Sequence, residues 1–338
     1  MSRHVPSGPV TTSRRGSFWV GLSDRVDGPL GSVLRGPMYV EWEAPAEPAP
    51  GPPWVLVHGG GGQGTDYLTT PDGRLGWSRL LVAQGHTVYV VDRPGYGRSP
   101  HHPDVLGPLG PQVGAAVLRA IFFPPAKGPD SHPSAHLHTQ WPGGRDPGNP
   151  VFDQFQAPLS SMPAAWAEMQ ALEQARLAEL LDRVGPAVLV THSAGGPGTF
   201  LAADATPDQV AALIAIETLG PPFAKRPEMG LDLAWGLASA PLTYDPPAAD
   251  PSELHDGQAR RLPNLSRFPI AVVTGEASMF AMFDHDLLAF LEGAGCDVEL
   301  VRLADHGVHG NSHGIVIERN NAEALAVITE WVARRQPE

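Results

Sequence analysis

The sequence predicts an α/β fold: one mostly parallel central sheet flanked by helices, preceded by antiparallel strands and interrupted by irregular insertions. Three observations carry this expectation. Short apolar runs of strand length recur at 54–57, 87–91, 187–190, 210–216, 270–273 and 298–303. Helix-length stretches with one apolar face lie between several of them, and such alternation builds parallel sheets covered on both sides. The run Ala187-Val188-Leu189-Val190 leads straight into Thr191-His192-Ser193-Ala194-Gly195, a strand–turn–helix junction with a serine at its apex.

The elements follow in order. Residues 1–50 hold apolar patches at Phe18-Trp19-Val20 and Met38-Tyr39-Val40, divided by Gly and Pro as antiparallel strands are. A Pro-rich connection, 44–53, leads to the buried strand Trp54-Val55-Leu56-Val57, which ends in His58-Gly59-Gly60-Gly61-Gly62. Trp77, Leu80, Leu81 and Val82 mark the apolar face of a following helix. The strand 87–91 ends in Asp92-Arg93-Pro94-Gly95-Tyr96-Gly97-Arg98-Ser99. Residues 100–160 are rich in Pro, Gly and His with little periodicity, and 219–265 form a second irregular insertion; segments of this length usually cover a site as a lid or cap. A helix is expected over 163–184, with Trp166, Met169, Leu172, Leu177, Leu180 and Leu181 on one face. The last helix, 322–332, is expected to be capped by Asn320 or Asn321. No repeat or linker divides residues 1–338, so a single domain is expected.

Bulk properties narrow the class. A net charge of −13 argues against nucleic acid and anionic membrane surfaces as partners. No apolar run reaches the roughly 18 residues of a membrane span. The segment 1–10 lacks a basic-then-apolar leader, so a cytoplasmic protein is the expectation. Cys296 is the only cysteine, which excludes an intrachain disulfide; it sits in a helix-to-strand turn and reads as structural. Lysine occurs only at 127 and 225 in a chain rich in Arg, Ala, Gly and Pro, which points to a bacterial, high-GC coding bias.

The chemistry-bearing residues occur in the order serine, acid, histidine. Ser193 stands where a strained turn exposes a hydroxyl above the sheet edge, although Thr191 is bulkier than the glycine usual at that position. The turn after the last strand holds His306, His309 and His313; His313, just ahead of the last helix, is the preferred base, with His309 next. For the acid, Glu217 at the carboxyl end of a buried strand is preferred over Asp284 or Asp286, because a carboxylate there needs a partner and an imidazolium is a good one. Two backbone N–H groups could receive a developing oxyanion: that of Ala194, after the serine, and that of Gly60, with Gly61 in reserve. The glycine run matches neither phosphate-loop pattern. His132, His136 and His138 cluster without an H-E-x-x-H pattern or a cysteine partner, so neither a metal nor a cofactor is expected.

The chain resembles the α/β-hydrolase superfamily, and more closely a group of bacterial serine esterases whose acid is a Glu after the sixth strand. The similar segments are Val57-His58-Gly59, Thr70-Pro71-Asp72-Gly73-Arg74 with Gly76-Trp77, Asp92 to Ser99, His138-Thr139-Gln140-Trp141-Pro142-Gly143, Phe152-Asp153-Gln154-Phe155, His192-Ser193, and 307–313 with Arg319-Asn320-Asn321. The resemblance implies an α/β-hydrolase fold and a Ser193–His313–Glu217 triad with Gly60 and Ala194 as the oxyanion hole. It implies a carboxylesterase acting on a small-molecule ester, and a homodimer. A member of that group carries adjacent cysteines where this chain has Gly60 and Gly61. Trp141, Phe152, Phe155, Trp235 and Tyr244 are the aromatic candidates for a substrate pocket. Two other functions compete: an acyltransferase or lactone or C–C bond hydrolase using the same triad, and a non-catalytic ligand receptor on the same fold.

Overall fold

The structure is a computed structural model and describes residues 12–128, 131–227 and 230–335. The segment 1–10, on which the cytoplasmic expectation rests, lies outside the described residues. Eight strands form one sheet: β1 (Ser13–Val20), β2 (Met38–Pro45), β3 (Trp54–Val57), β4 (Val88–Asp92), β5 (Ala187–His192), β6 (Val210–Ile216), β7 (Ile270–Thr274) and β8 (Val298–Arg302). Their spatial order is β1-β2-β4-β3-β5-β6-β7-β8. β2 pairs antiparallel with both β1 and β4, and the remaining neighbours pair parallel. This is the mostly parallel sheet with N-terminal antiparallel strands that the sequence predicts.

Every residue of β3, β5 and β7 is buried. Continuous apolar runs suit central strands covered on both faces. Val55 and Val57 point into one core cluster with Leu177, Leu180, Phe200 and Leu201; Trp54 and Leu56 point into the other with Trp77, Leu325, Ile328 and Trp331. The first face is covered by α4 (Trp166–Val184) and α5 (Gly196–Ala205), the second by α1 (Trp77–Ala83) and α7 (Asn321–Arg335). Among the described residues no helix is long and apolar enough to cross a membrane. Cys296 is buried, and burial pushes its thiol up to about 12, which suits packing rather than reactivity.

Several local features depart from the expectations. The insertion 100–160 contains α2 (Ala115–Phe122) and α3 (Pro150–Gln156). Each spans about two turns, too few to display a clear period in sequence. α3 starts at a Pro, and the Asn149 side chain accepts from Val151 N. An unforeseen hairpin pairs Arg25–Gly28 with Gly31–Leu34. α4 begins at Trp166, three residues later than expected. The last helix begins at Asn321, so Asn320 stands at the position just ahead of it and its carbonyl accepts from Ala324 N–H; the Asn320 side chain pairs with Asn311, and Asn321 accepts from Arg74 and donates to the Leu75 carbonyl. Arg74 also donates to the Ile317 and Arg319 carbonyls, so two widely separated motifs, 70–77 and 319–321, form one latch.

Candidate active site

Ser193 follows β5 directly and has φ 53°, in the left-handed region that non-glycine residues rarely adopt. A single 3₁₀ turn, Ser193–Gly195, then feeds α5. Space explains the residues around it. A Cβ at position 195 would strike the His58 carbonyl oxygen and stand 3.0 Å from Thr191 Oγ1. The bulky Thr191 is therefore accommodated because Gly195 gives way. Gly195→Ala is expected to cost about 1–3 kcal/mol through overpacking against backbone. Thermal unfolding checks this, and an unchanged midpoint would show that the turn relaxes freely.

His313 stands in the loop before α7 with Nε2 2.9 Å from Ser193 Oγ and Nδ1 3.4 Å from Glu217 Oε2. Glu217, one residue past β6, also has a left-handed φ of 48°. Its N–H donates to the Val273 carbonyl, Gly275 N–H donates to its Oε1 at 2.7 Å, and the Ser278 hydroxyl donates to its Oε2. Burial pushes the Glu217 carboxyl above the usual carboxylate range, while the Ser278 and Gly275 donors pull the other way. An imidazolium beside it is the charge that would hold it ionised. Burial likewise holds His313 well below its ordinary value of 6.5, as a neutral imidazole able to accept a proton.

The imidazole is tightly held. Phe280 stacks on it at 4.1 Å between centroids with planes 12° apart, and Phe122 of α2 lies 5.0 Å away. His192 Nε2 donates to the His313 carbonyl at 2.9 Å. Behind the loop, Glu318 accepts from Asn311 Nδ2 and Ser312 N–H and pairs with the buried His138 at 2.8 Å. The Thr139 and Gln140 N–H groups bond the Gly310 carbonyl, so the first insertion is fastened to the histidine loop.

The other candidates are placed elsewhere. His309 is exposed and pairs with Glu276 at 3.2 Å. Asp284 is buried against Arg302 at 3.2 Å and Thr274 at 3.4 Å; Asp286 is exposed on α6 (Asp284–Gly293). Gly59 and Gly60 lie against the serine turn. A Cβ at 59 would stand 3.1 Å from Ser193 Cβ, and one at 60 would stand 3.1 Å from Ala194 Cβ and 2.7 Å from Met162 Sδ. Gly61 is turned toward Ser160, whose N–H donates to its carbonyl at 2.7 Å.

The aromatic candidates divide. Trp141, Phe152 and Phe155 form one buried cluster with Phe123, and Phe155 touches Phe122 at 4.8 Å, one ring from His313. Trp235 and Tyr244 belong to the core cluster on the α4/α5 face, where the Tyr244 hydroxyl donates to the Trp235 carbonyl. The structure brings neither of these two to Ser193. Sequence reading missed Phe122, Phe280 and Met162, which lie in segments without strong periodicity. Only Phe280, six residues past the strand Ile270–Thr274, stood near a strand end that the sequence marked. Among the described residues no group of three or more His, Cys, Asp or Glu is close enough to hold a metal ion.

Comparison with known proteins follows the same lines. The family profile described as "alpha/beta hydrolase fold" matches residues 52–259. A curated relative, the "Probable secreted lipase phiG" of Fungal sp. (strain ATCC 74256), is 34% identical over 317 residues, covering 88% of this chain and 86% of its own. The solved structure titled "The Atomic Resolution Structure of a Novel Bacterial Esterase" superposes with a TM-score of 0.72 at 24% identity, over 98% of this chain and 99% of that one. The sheet order, the strained serine after the fifth strand and these similarities agree, and the chain belongs to the alpha/beta hydrolase family.

Proposed function

We propose that the chain is a serine hydrolase of carboxylic esters. The observation that carries this reading is the hydrogen-bonded line from Ser193 Oγ to His313 Nε2, 2.9 Å, and from His313 Nδ1 to Glu217, 3.4 Å. The 34% identical relative, itself described as a lipase, supports the ester class. In this reading His313 takes the Ser193 proton as Oγ attacks the ester carbonyl carbon. Glu217 orients the imidazole and stabilises its charged form. The tetrahedral oxyanion is received by the N–H groups of Gly60 and Ala194. Collapse expels the alcohol, which takes the proton from His313, and leaves Ser193 acylated. Water, deprotonated by His313, attacks the acyl carbon; the acid departs and Ser193 Oγ recovers the proton.

The insertions 100–160 and 219–265 act as lid and cap segments that shape substrate entry. Phe122 and the fastening of 139–140 to Gly310 support this for the first, and the Leu219 N–H bond to the Ser193 carbonyl at 3.3 Å for the second. Trp141, Phe152 and Phe155 stiffen the aromatic wall behind Phe122 in this reading.

Fluorophosphonate treatment tests the proposal: one adduct is expected on the intact protein, mapping to Ser193 by peptide mass. Absence of an adduct, or one on another residue, would refute it. A pH profile tests the base. His313 must be neutral to accept the proton, and its burial lowers the pH at which it protonates. The acidic limb of kcat/KM is therefore expected below pH 6.5, with hydrolysis persisting near pH 5 (about 1.5 units below the free imidazole value). A limb centred above 6.5 would contradict a desolvated base.

A further inference from the structure

The loop Asp92 to Ser99 has no role in the chemistry above, yet one of its side chains reaches the oxyanion loop. Arg93 and Glu173 of α4 form an ion pair whose side chains are only 4% and 2% exposed. Arg93 Nε and Nη2 donate to Glu173 Oε1 at 2.9 and 2.7 Å. Arg93 Nη1 donates to the Gly59 carbonyl at 3.1 Å and to the His58 carbonyl at 3.3 Å. The Arg93 backbone N–H donates to His58 Nε2 at 3.0 Å. That bond leaves the proton on His58 Nδ1, which donates to the Gly59 carbonyl at 2.8 Å. Burial keeps His58 uncharged, near 3, so this tautomer persists at neutral pH.

Two donors thus converge on one carbonyl, and the geometry of the peptide unit makes that consequential. A trans peptide is planar, with its C=O and N–H pointing in opposite directions. Pinning the Gly59 oxygen toward Arg93 and His58 turns the Gly60 N–H away from them. The four consecutive glycines 59–62 have little rigidity of their own, so an external pin has a large effect on the direction of that donor. The pair is also seated against the serine helix: a Cβ at Gly198 of α5 would strike Glu173 Oε2. Burying an ion pair carries a desolvation cost that apolar residues would avoid. A guanidinium is suited to this place because one planar fork serves a carboxylate and two carbonyls at once, which an ammonium does not.

We propose that Arg93, held by Glu173, is a positioning residue that aims the Gly60 N–H at the oxyanion. The inference rests on the ester-hydrolase reading and names a determinant of its transition-state binding. It is tested with Arg93→Lys and with the charge-free pair Arg93→Met/Glu173→Leu. For each, kcat and KM are measured on one p-nitrophenyl ester, together with inhibition by a trifluoromethyl ketone of matching acyl part, which forms an oxyanionic hemiketal on serine. Fluorophosphonate titration run to completion counts competent sites. Expected is a kcat per titrated site lower by about 10–100-fold, as a misplacement near 1 Å produces. The ketone inhibition constant should rise in parallel and KM should change by less than about twofold, the signature of an interaction made in the transition state. Wild-type kcat and ketone affinity in either variant would overturn the proposal. So would an activity loss that merely tracks a loss of titratable sites, which would make the pair structural. Failure of the wild-type protein to titrate at Ser193 would instead be a failure of the ester-hydrolase reading.

Discussion

Replacing Ser193 with alanine is expected to lower kcat/KM for an activated ester by about 10⁴-fold or more, the scale seen when a triad nucleophile is removed. The substitution deletes one oxygen and keeps the Cβ, so the left-handed φ of 53° and the packing of the turn are preserved. Stability should change by well under about 1 kcal/mol, because the Ser193 hydroxyl is partly exposed and replacement at such positions is usually mild. The fluorophosphonate adduct should disappear with the activity. His313→Ala should cost a comparable factor, and the double variant little more, because nucleophile and base act as one unit. Retention of more than about 1% of wild-type turnover by Ser193→Ala would sink the assignment, since a unit that has lost its nucleophile retains far less.

Glu217→Gln should lower kcat by about 10³- to 10⁴-fold with the fold intact, as when the acid of such a triad becomes an amide. The carboxylate accepts from Gly275 N–H, the Ser278 hydroxyl and the His313 Nδ1 side. An amide can preserve one of these acceptor positions. Its NH₂ then meets a donor, which favours the wrong imidazole tautomer and leaves the imidazolium without a counter-charge. Asp284→Asn is the informative partner experiment. Asp284 is engaged by Arg302 and Thr274, so its loss should lower the melting temperature and leave kcat within about threefold, the usual effect of a change away from the reacting atoms. The opposite ranking of these variants would move the acid from the end of β6 to the segment after β7.

The two candidate acids show how far local sequence reaches. Glu217 and Asp284 both follow buried strands, and both are buried. What separates them is which neighbour each meets across the sheet edge, and chain-local patterns do not encode that. The three histidines of 306–313 pose the same problem. His309 and His313 are four residues apart, yet one is exposed beside Glu276 and the other is buried between Phe280 and Phe122. Aromatic residues were the least legible. Trp235 and Phe155 look alike in sequence, yet one packs in the core on the α4/α5 face and the other against Phe122, one ring from His313.

The sequence by itself determined the strands of the main sheet, their α/β alternation and the serine turn. Each of these rests on a local property: a continuous apolar run, a helical period, or small residues at a strained bend. Only the tertiary structure placed one of the histidines against Ser193 and one of the carboxylates against that histidine. It alone showed that α2 supplies a ring to His313, and that Arg93 and Glu173 grip the glycine loop from segments 80 residues apart in the chain. Those contacts join residues distant in sequence, and their geometry is set by how helices and loops pack across the sheet edge.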